Sequence, residues 1–283
     1  MRPAESGVTV PDPRMDWVGT SHAKANATAR IACLVPSITE LLFALDLGPQ
    51  VVARTGFCVH PRDAVRRVPK IGGTKDPDLS CLRTLSPTHL IVNVDENRRE
   101  VVDAARAFVP SVIVTHPQCP EDNVRLYRLL GAVFDRDIAA ARLGDALTVA
   151  LDGLRSVAAT LPREPVIYLI WKKPWMSVAA PTYIGATLAA AGWDVVSVAD
   201  SAARYPTLAD DDGAWGRARR ILVSSEPFAF RARDVASIAA ARGRPAHLVD
   251  GEMTSWYGRR AIAGLHYLAN LRQEIAQSSI AGA

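Results

Sequence analysis

The chain has 283 residues, with 33 basic and 29 acidic side chains and a formal charge of +4. Apolar residues make up 49% of the sequence and charged residues 22%, which is an ordinary globular composition. This much apolar surface can offset the entropy of a folded chain, so disordered and fibrous proteins are excluded. The length allows one large domain or two modest ones.

Two kinds of site are disfavoured by the charge pattern and the cysteine spacing. The basic residues are scattered and form no stripe interleaved with aromatic residues, so we expect no nucleic-acid partner. Cys33, Cys58, Cys81 and Cys119 lie far apart and include no C-x-x-C pair. This spacing argues against a zinc or iron–sulfur site.

The first 29 residues are polar and rich in Pro and Ala, and they predict a loosely packed N-terminal arm over 1–29. They lack the apolar core of a secretory signal, so the sequence as written predicts a cytoplasmic protein. A different start would instead allow a periplasmic or cell-surface location. The chain has no apolar run of about 18 residues, and we therefore predict no membrane span.

Strands and helices alternate in the first half of the chain. Short apolar runs predict strands at 30–35, 50–54, 89–94 and 111–115. Helical spacing predicts helices at 38–45, 79–85, 97–108 and 122–133. Ser37 and Glu40 have the spacing of a capping box for the first helix. The alternation favours an α/β lobe with a parallel sheet over 30–135.

A long helix and a second lobe follow. Residues 137–160 contain no Pro and predict one helix of roughly 36 Å, within an interlobe segment at 136–162. The alternation then restarts over 163–283. It predicts strands at 166–170, 194–198, 220–224 and 247–249, and helices at 183–191, 232–241 and 258–277.

Residues 31–45, which read Ile-Ala-Cys-Leu-Val-Pro-Ser-Ile-Thr-Glu-Leu-Leu-Phe-Ala-Leu, resemble a recurrent segment of class III periplasmic binding proteins. These proteins serve ABC importers of cobalamin, ferric siderophores and haem. Residues 68–79, residues 82–92 and the long middle helix also resemble parts of this family, and the likeness covers about residues 30–275. It is closest to the cobalamin-binding branch and its helical backbone metal receptor relatives.

The resemblance implies two α/β lobes with parallel central sheets, joined by one long helix. It also implies a carrier without catalytic residues or a catalytic cofactor. Its ligand would be cobalamin or another metal chelate such as haem or a ferric siderophore, held in an aromatic-lined cleft between the lobes. An ABC transporter permease is the implied partner for uptake, with intracellular handling of the ligand as the other role. We expect a monomer.

Candidate ligand-binding residues lie in loops that follow predicted strands or next to the helices after them. Such loops meet at one edge of a parallel sheet, and a large flat chelate suits aromatic walls with a few polar groups. Of the 18 aromatic residues, 12 follow residue 160, so we expect the second lobe to supply most of the wall. The candidates are Phe57, His60, Thr74, Lys75, Asn93, Trp171, Trp175, Tyr183, Tyr205, Trp256 and Tyr257.

His60 and His116 are the candidate metal ligands, because neutral imidazole coordinates cobalt, iron and zinc. The alternative is that both are loop histidines held by hydrogen bonds. The resemblance further implies that surface carboxylates of both lobes dock onto the transporter. Asp76, Asp78, Asp210 and Asp211 are the candidates for that contact, and solvated loops are the alternative.

Two other functions stay open at the level of the sequence. An enzyme acting on a bound corrinoid or metal chelate could use the same scaffold, although the chain contains no G-x-S-x-G or H-E-x-x-H motif. A divalent-metal carrier would need three or four converging His, Asp or Glu ligands. Only His60 and His116 are available as histidine donors for such a site.

Overall fold

The computed structural model describes residues 12–198 and 201–281, with side chains up to residue 278. The chain forms two compact units. The first unit comprises residues up to His116 together with Arg125–Ala141, and the second comprises Pro117–Val124 and the chain from Arg142 onward. The boundary near residue 141 falls inside the long helix that the sequence predicts.

The first unit contains a four-stranded parallel sheet in the order β2-β1-β3-β4. Its strands are β1 (Ile31–Cys33), β2 (Val51–Arg54), β3 (His89–Asn93) and β4 (Ser111–Thr115). The helices in this part of the chain are α1 (Pro36–Ala44), α2 (Arg62–Val65), α3 (Leu79–Thr84), α4 (Arg99–Arg106) and α5 (Asp122–Phe134), with a 3-10 turn at Gly48–Gln50. Apolar residues of the strands pack against α3 and α4 to form one core.

The second unit begins within α6 (Asp137–Ala159). Its strands are β5 (Glu164–Trp171), β6 (Trp175–Ser177), β7 (Trp193–Val195), β8 (Thr207–Leu208), β9 (Arg220–Ser224) and β10 (Ala246–Val249). Its other helices are α7 (Tyr183–Ala190), α8 (Ala214–Arg217), α9 (Ala232–Arg242), α10 (Gly251–Ser255) and α11 (Arg259–Ala281). The sheet order is β10-β9-β5-β6-β8, and β7 pairs with the first half of β5.

The α/β prediction is confirmed, with one difference in the second sheet. Strands β7, β5, β9 and β10 are parallel, as predicted, but β6 and β8 run antiparallel to their neighbours. The sequence analysis missed both of these strands. They have three and two residues, which is too short for an alternating pattern to register.

The predicted capping box at the start of α1 is wrong. Val35, in extended conformation, is the N-cap residue and provides no side-chain hydrogen bond. Pro36 opens the helix, where its fixed φ angle suits the first turn and its missing N–H costs nothing. Ser37 therefore lies inside the helix, where its Oγ is buried without a hydrogen-bond partner among the described residues.

Residues 12–29 differ from the loose arm that their composition predicts, whereas residues 1–11 of that prediction lie outside the described residues. The segment runs along the free edge of β4. The amide of Val114 donates to Asp16 Oδ2 at 3.0 Å, and the carbonyl of Val114 accepts from the Trp17 amide at 3.1 Å. Arg125 stacks on the Trp17 ring at 4.2 Å. Hydrogen bonds to the edge of β4 and the contact between Arg125 and Trp17 thus order a segment that lacks apolar periodicity.

Asp16 is the centre of this attachment, because its buried carboxylate satisfies several donors at once. It accepts from the amides of Val18, Thr20 and Val114 and lies 3.2 Å from His22 Nε2. Burial alone would raise the pKa of Asp16, but hydrogen bonds from His22 and from these amides outweigh it and hold the pKa below its ordinary value.

None of the helices in residues 12–198 and 201–281 is both long and apolar enough to cross a membrane.

We expect Asp16→Asn to lower the free energy of unfolding by about 1–3 kcal/mol at pH 7, because hydrogen bonds to a buried charge are lost. A carboxylate with a lowered pKa stabilises the fold above its unfolded pKa, near 3.9. The difference from wild type should therefore be complete at pH 6 and shrink as the pH falls below about 4. Urea unfolding across this range measures it.

The matched control is Asp12→Asn, which removes an exposed carboxylate from the same segment. A loss of stability as large as that of Asp16→Asn would contradict the role given to Asp16.

Candidate ligand-binding surfaces

The loop after β2 in the first unit is shaped by a buried arginine. Arg54 Nε donates to the carbonyl of Val65 at 2.8 Å, and its Nη1 donates to the carbonyls of Thr55 and Cys58 at 3.1 and 3.0 Å. The guanidinium thus satisfies backbone carbonyls that a tight loop leaves unpaired. This arrangement holds the loop at the carboxyl edge of the sheet and presents Phe57 outward.

Phe57 is the most prominent apolar side chain at this edge, with 64% of its surface exposed. Its ring lies over Gly73, where a Cβ would stand 3.7 Å from the ring. Val59, in the same loop, and Val94, directly after β3, are also exposed. Exposed apolar side chains from two strand-end loops therefore lie at one edge of the first sheet, and we call Phe57, Val59 and Val94 the first-unit surface.

Asn93 and its neighbours make a hydrogen-bonded support for this edge. The buried Asn93 accepts from the Asp95 amide at 2.8 Å and donates to Thr115 Oγ1 at 3.4 Å. The backbone amide of Asn93 donates to Asn97 Oδ1 at 2.8 Å, and Asn97 Nδ2 donates to the carbonyl of Thr74 at 2.8 Å. The predicted candidates Asn93 and Thr74 are therefore joined through Asn97.

The remaining first-unit candidates are Lys75, which is exposed, and the two histidines. His60 is partly exposed in the loop that carries Phe57. His116 follows β4, and its Nε2 lies 3.5 Å from Asp95 Oδ2. The described residues contain no group of three or more His, Cys, Asp or Glu side chains arranged to hold a metal ion.

In the second unit, a continuous row of aromatic rings begins at the carboxyl ends of β5 and β9. Trp171 meets Phe228 edge-on at 5.4 Å, and Phe228 lies 4.6 Å from Phe230. Phe230 stacks on Trp175 at 6.5 Å, and Trp175 meets Trp215 edge-on at 6.1 Å. We call these five residues the aromatic row.

The two ends of the aromatic row differ in exposure. Trp171 exposes 39% of its surface, whereas Trp215 exposes 7% and belongs to the core of the unit. Trp175 packs against that core, and its Nε1 donates to Asp210 Oδ1 at 3.1 Å. Arg242 stacks on Trp215 at 3.9 Å and pairs with Asp210. The row thus runs from an anchored core end to an open end at Trp171.

Trp256 is positioned by a half-buried carboxylate, that of Glu226. Glu226 Oε1 accepts from Trp256 Nε1 and from Ser255 Oγ, each at 2.9 Å. Burial raises the pKa of Glu226, and the nearby Glu252 adds to the effect. A Cβ on Gly251 would stand 2.3 Å from Glu226 Cγ, so only glycine allows this close approach.

The candidate tyrosines lie in different surroundings. Tyr183 and Tyr257 are buried and meet edge-on at 5.5 Å. Asn123 Nδ2 donates to the Tyr183 hydroxyl at 3.0 Å, and burial raises the pKa of that hydroxyl. Tyr205 is partly exposed in the segment before β8. Tyr183 and Tyr257 thus pack together inside the second unit.

Three of the four candidate docking carboxylates have contacts within the protein. Asp76 pairs with Arg98 at 2.7 Å, and Asp78 caps α3 by accepting from two backbone amides. Asp210 has the tryptophan and arginine contacts described above, and Asp211 is exposed. Docking onto a transporter stays a prediction for this set.

Residues 31–215 match the model of the periplasmic binding protein family. The chain belongs to this family. The predicted class III likeness is confirmed as well, because solved structures of such proteins share the fold. No curated protein sequence matches the chain.

Three solved structures illustrate the likeness. The periplasmic vitamin B12 binding protein BtuF of Vibrio cholerae superposes with a TM-score of 0.74 at 17% identity, covering 88% of this chain and 97% of its own. The periplasmic haem-binding protein RhuT from Roseiflexus sp. RS-1 has a TM-score of 0.73 at 21% identity, with coverages of 88% and 99%. S. aureus IsdE complexed with haem has a TM-score of 0.71 at 17% identity, with coverages of 86% and 98%. At these identities the likeness shows the fold.

Sequence reasoning missed Arg54 and Arg242, which position residues of the two candidate surfaces. Arg54 holds the loop after β2 through backbone carbonyls, and Arg242 stacks on Trp215, which is distant in sequence. Periodicity does not reveal such contacts. A charged residue inside an apolar strand, as at Arg54, is the one sequence signal that could have found them.

We expect Trp175→Ala to lower the free energy of unfolding by about 3 kcal/mol, because it removes packing from the core and leaves a cavity. Trp171→Ala should cost less than about 1 kcal/mol, since the side chain is more exposed and packs at the open end of the row. Urea unfolding followed by circular dichroism measures both. Equal losses would contradict the division of the row into an anchored and an open end.

Proposed function

We propose that this protein is a carrier that binds a metal chelate, of the corrinoid, haem or ferric siderophore class, on the open end of the aromatic row. One observation carries the proposal, namely the exposed Trp171 at the end of a row of packed rings. A large flat ligand with apolar faces gains most from rigid aromatic side chains that need no ordering when it binds.

The two units support this function in different ways. The second unit supplies stacked rings, whereas the first-unit surface supplies a single exposed ring, Phe57, with two valines. The neighbouring His60, Thr74 and Lys75 would supply polar contacts to the side groups of a chelate. Structural neighbours that bind vitamin B12 or haem favour this ligand class over a sugar or an amino acid.

Within this class we favour a cobalamin-like corrinoid, as the sequence resemblance implies. The protein would deliver the chelate to an ABC transporter permease for uptake, or it would handle the chelate inside the cell. The family consists of binding proteins for transport, which favours carriage over catalysis. The lack of a clustered set of metal ligands in the described residues gives no support to the divalent-metal alternative.

The test is an absorbance titration of the purified protein with cyanocobalamin, cobinamide, haemin and a ferric siderophore. We expect one of these to bind with a Kd well below ~100 μM, which corresponds to about −5.5 kcal/mol. Failure of all four to bind at that level would overturn the proposal.

Trp171→Ala should weaken binding of the chelate about tenfold, or 1.4 kcal/mol, because a desolvated stacking contact is lost. We expect Phe57→Ala to weaken it less, since the second unit supplies more of the apolar wall. Trp175→Ala should also weaken binding more than Phe57→Ala, through loss of the anchor of the row. Val149→Ala, at an exposed apolar position of α6, is the control and should leave the Kd unchanged.

A further inference from the structure

A second site lies in the second unit, at the amino-terminal edge of its sheet. A cavity of about 210 Å³ is lined there by four arginines and one carboxylate. Glu164 opens β5 and Arg220 opens β9, whereas Trp171 closes β5 seven residues later. At about 3.3 Å per residue, the cavity lies roughly 23 Å from the open end of the aromatic row.

Glu164 holds two of the arginines in fixed positions. Arg220 Nε donates to both carboxylate oxygens of Glu164 at 3.1 Å, and Arg272 Nη1 reaches Oε2 at 3.4 Å. All three side chains are almost completely buried, at 8% exposure or less. One carboxylate thus serves two buried guanidinium groups, and the cations are preorganised around the cavity.

The positive charge around the cavity is not fully compensated. Arg163 pairs with Asp194, which leaves Arg219 as the fourth lining arginine. Within the part of the chain that the structure describes, the Arg219 guanidinium makes no hydrogen bond or ion pair. The Nε of Arg272 likewise has no hydrogen-bond partner there. Set against two carboxylates, the four arginines leave an excess of two positive charges.

The cluster is buried, and its arginines act on one another. Burial lowers the pKa of Arg272, and the nearby Arg220 and Arg163 lower it further, against the opposing effect of Glu164. Burial and the neighbouring Arg220 also lower the pKa of His247. Burial is the largest cause of both shifts, and the arginine contributions reflect the positive charge around the cavity.

We propose that this cavity binds a phosphate group, held by Arg219 and by the cluster that Glu164 organises. Guanidinium groups recognise phosphate oxygens through paired hydrogen bonds, and the two excess charges match a phosphate near neutral pH. The volume equals that of roughly seven waters, which admits a phosphate group and excludes a corrin or a haem. Ile275 and Ala276 form the apolar side of the cavity.

The phosphate group can come from free inorganic phosphate or from a nucleotide. Isothermal titration at pH 7.5 with inorganic phosphate and, separately, with ADP distinguishes the two sources, with sodium chloride added to keep the ionic strength constant. We expect inorganic phosphate to bind with a millimolar or tighter Kd and to raise the Tm of the full chain. A much tighter Kd for ADP would identify a nucleotide as the source.

Arg219→Gln should weaken phosphate binding about tenfold. Because Arg219 is exposed and takes no part in the buried cluster, this variant should fold normally. Ala276→Glu, which adds a carboxylate to the wall from a helical position, should abolish binding. Arg233→Gln removes an exposed arginine of the same unit outside the cavity, and its phosphate Kd should equal that of wild type.

The proposal fails if phosphate adds no stabilisation beyond that of chloride at equal ionic strength. It also fails if Arg219→Gln and Ala276→Glu bind phosphate as wild type does. Neither result would bear on the chelate, because this site is argued from residues that the aromatic row does not use. The chelate titration should give the same Kd for Arg219→Gln and wild type.

Discussion

The parallel pairing of β5 with β9 is the constraint on which the second unit depends. Parallel strands start at one edge of a sheet and end at the other, so whatever each strand carries at its ends is brought together. One edge receives Glu164 and Arg220, and the other receives Trp171 and the segment that carries Phe228. A single register therefore builds a charged edge and an aromatic edge from the same two strands.

The sequence predicted the long helices and the parallel strands of this fold better than its short antiparallel strands and helix starts. Long apolar periodicity located α6 to within one residue of its end, since every turn of a helix adds to the same signal. The short antiparallel strands and the start of α1 were missed or wrong, because each depends on a neighbour that is distant in sequence or on one proline. Tertiary contact, rather than local preference, decides such positions.

The candidate site shows the same division. Position at the end of a predicted strand was enough to select Phe57 and Trp171 as candidate ligand-binding residues, and both side chains are exposed. It could not separate Trp171 from Trp175, because the two occupy one loop and differ only in what packs beneath them. Burial of one ring by Trp215 and Phe230 is a property of the folded unit, and the three residues between Trp171 and Trp175 in the sequence give no measure of it.

The segment around Asp16 and Trp17 has a consequence for how the molecule behaves among its own copies. Strand β4 is the last in its sheet, and its outer edge would otherwise present unpaired amide and carbonyl groups that invite a strand from another molecule. The chain covers part of this edge with its own residues, at Val114. A version of the protein that lacks residues 1–29 would expose the unpaired backbone groups of β4. We expect it to aggregate under conditions in which its sheet is still folded.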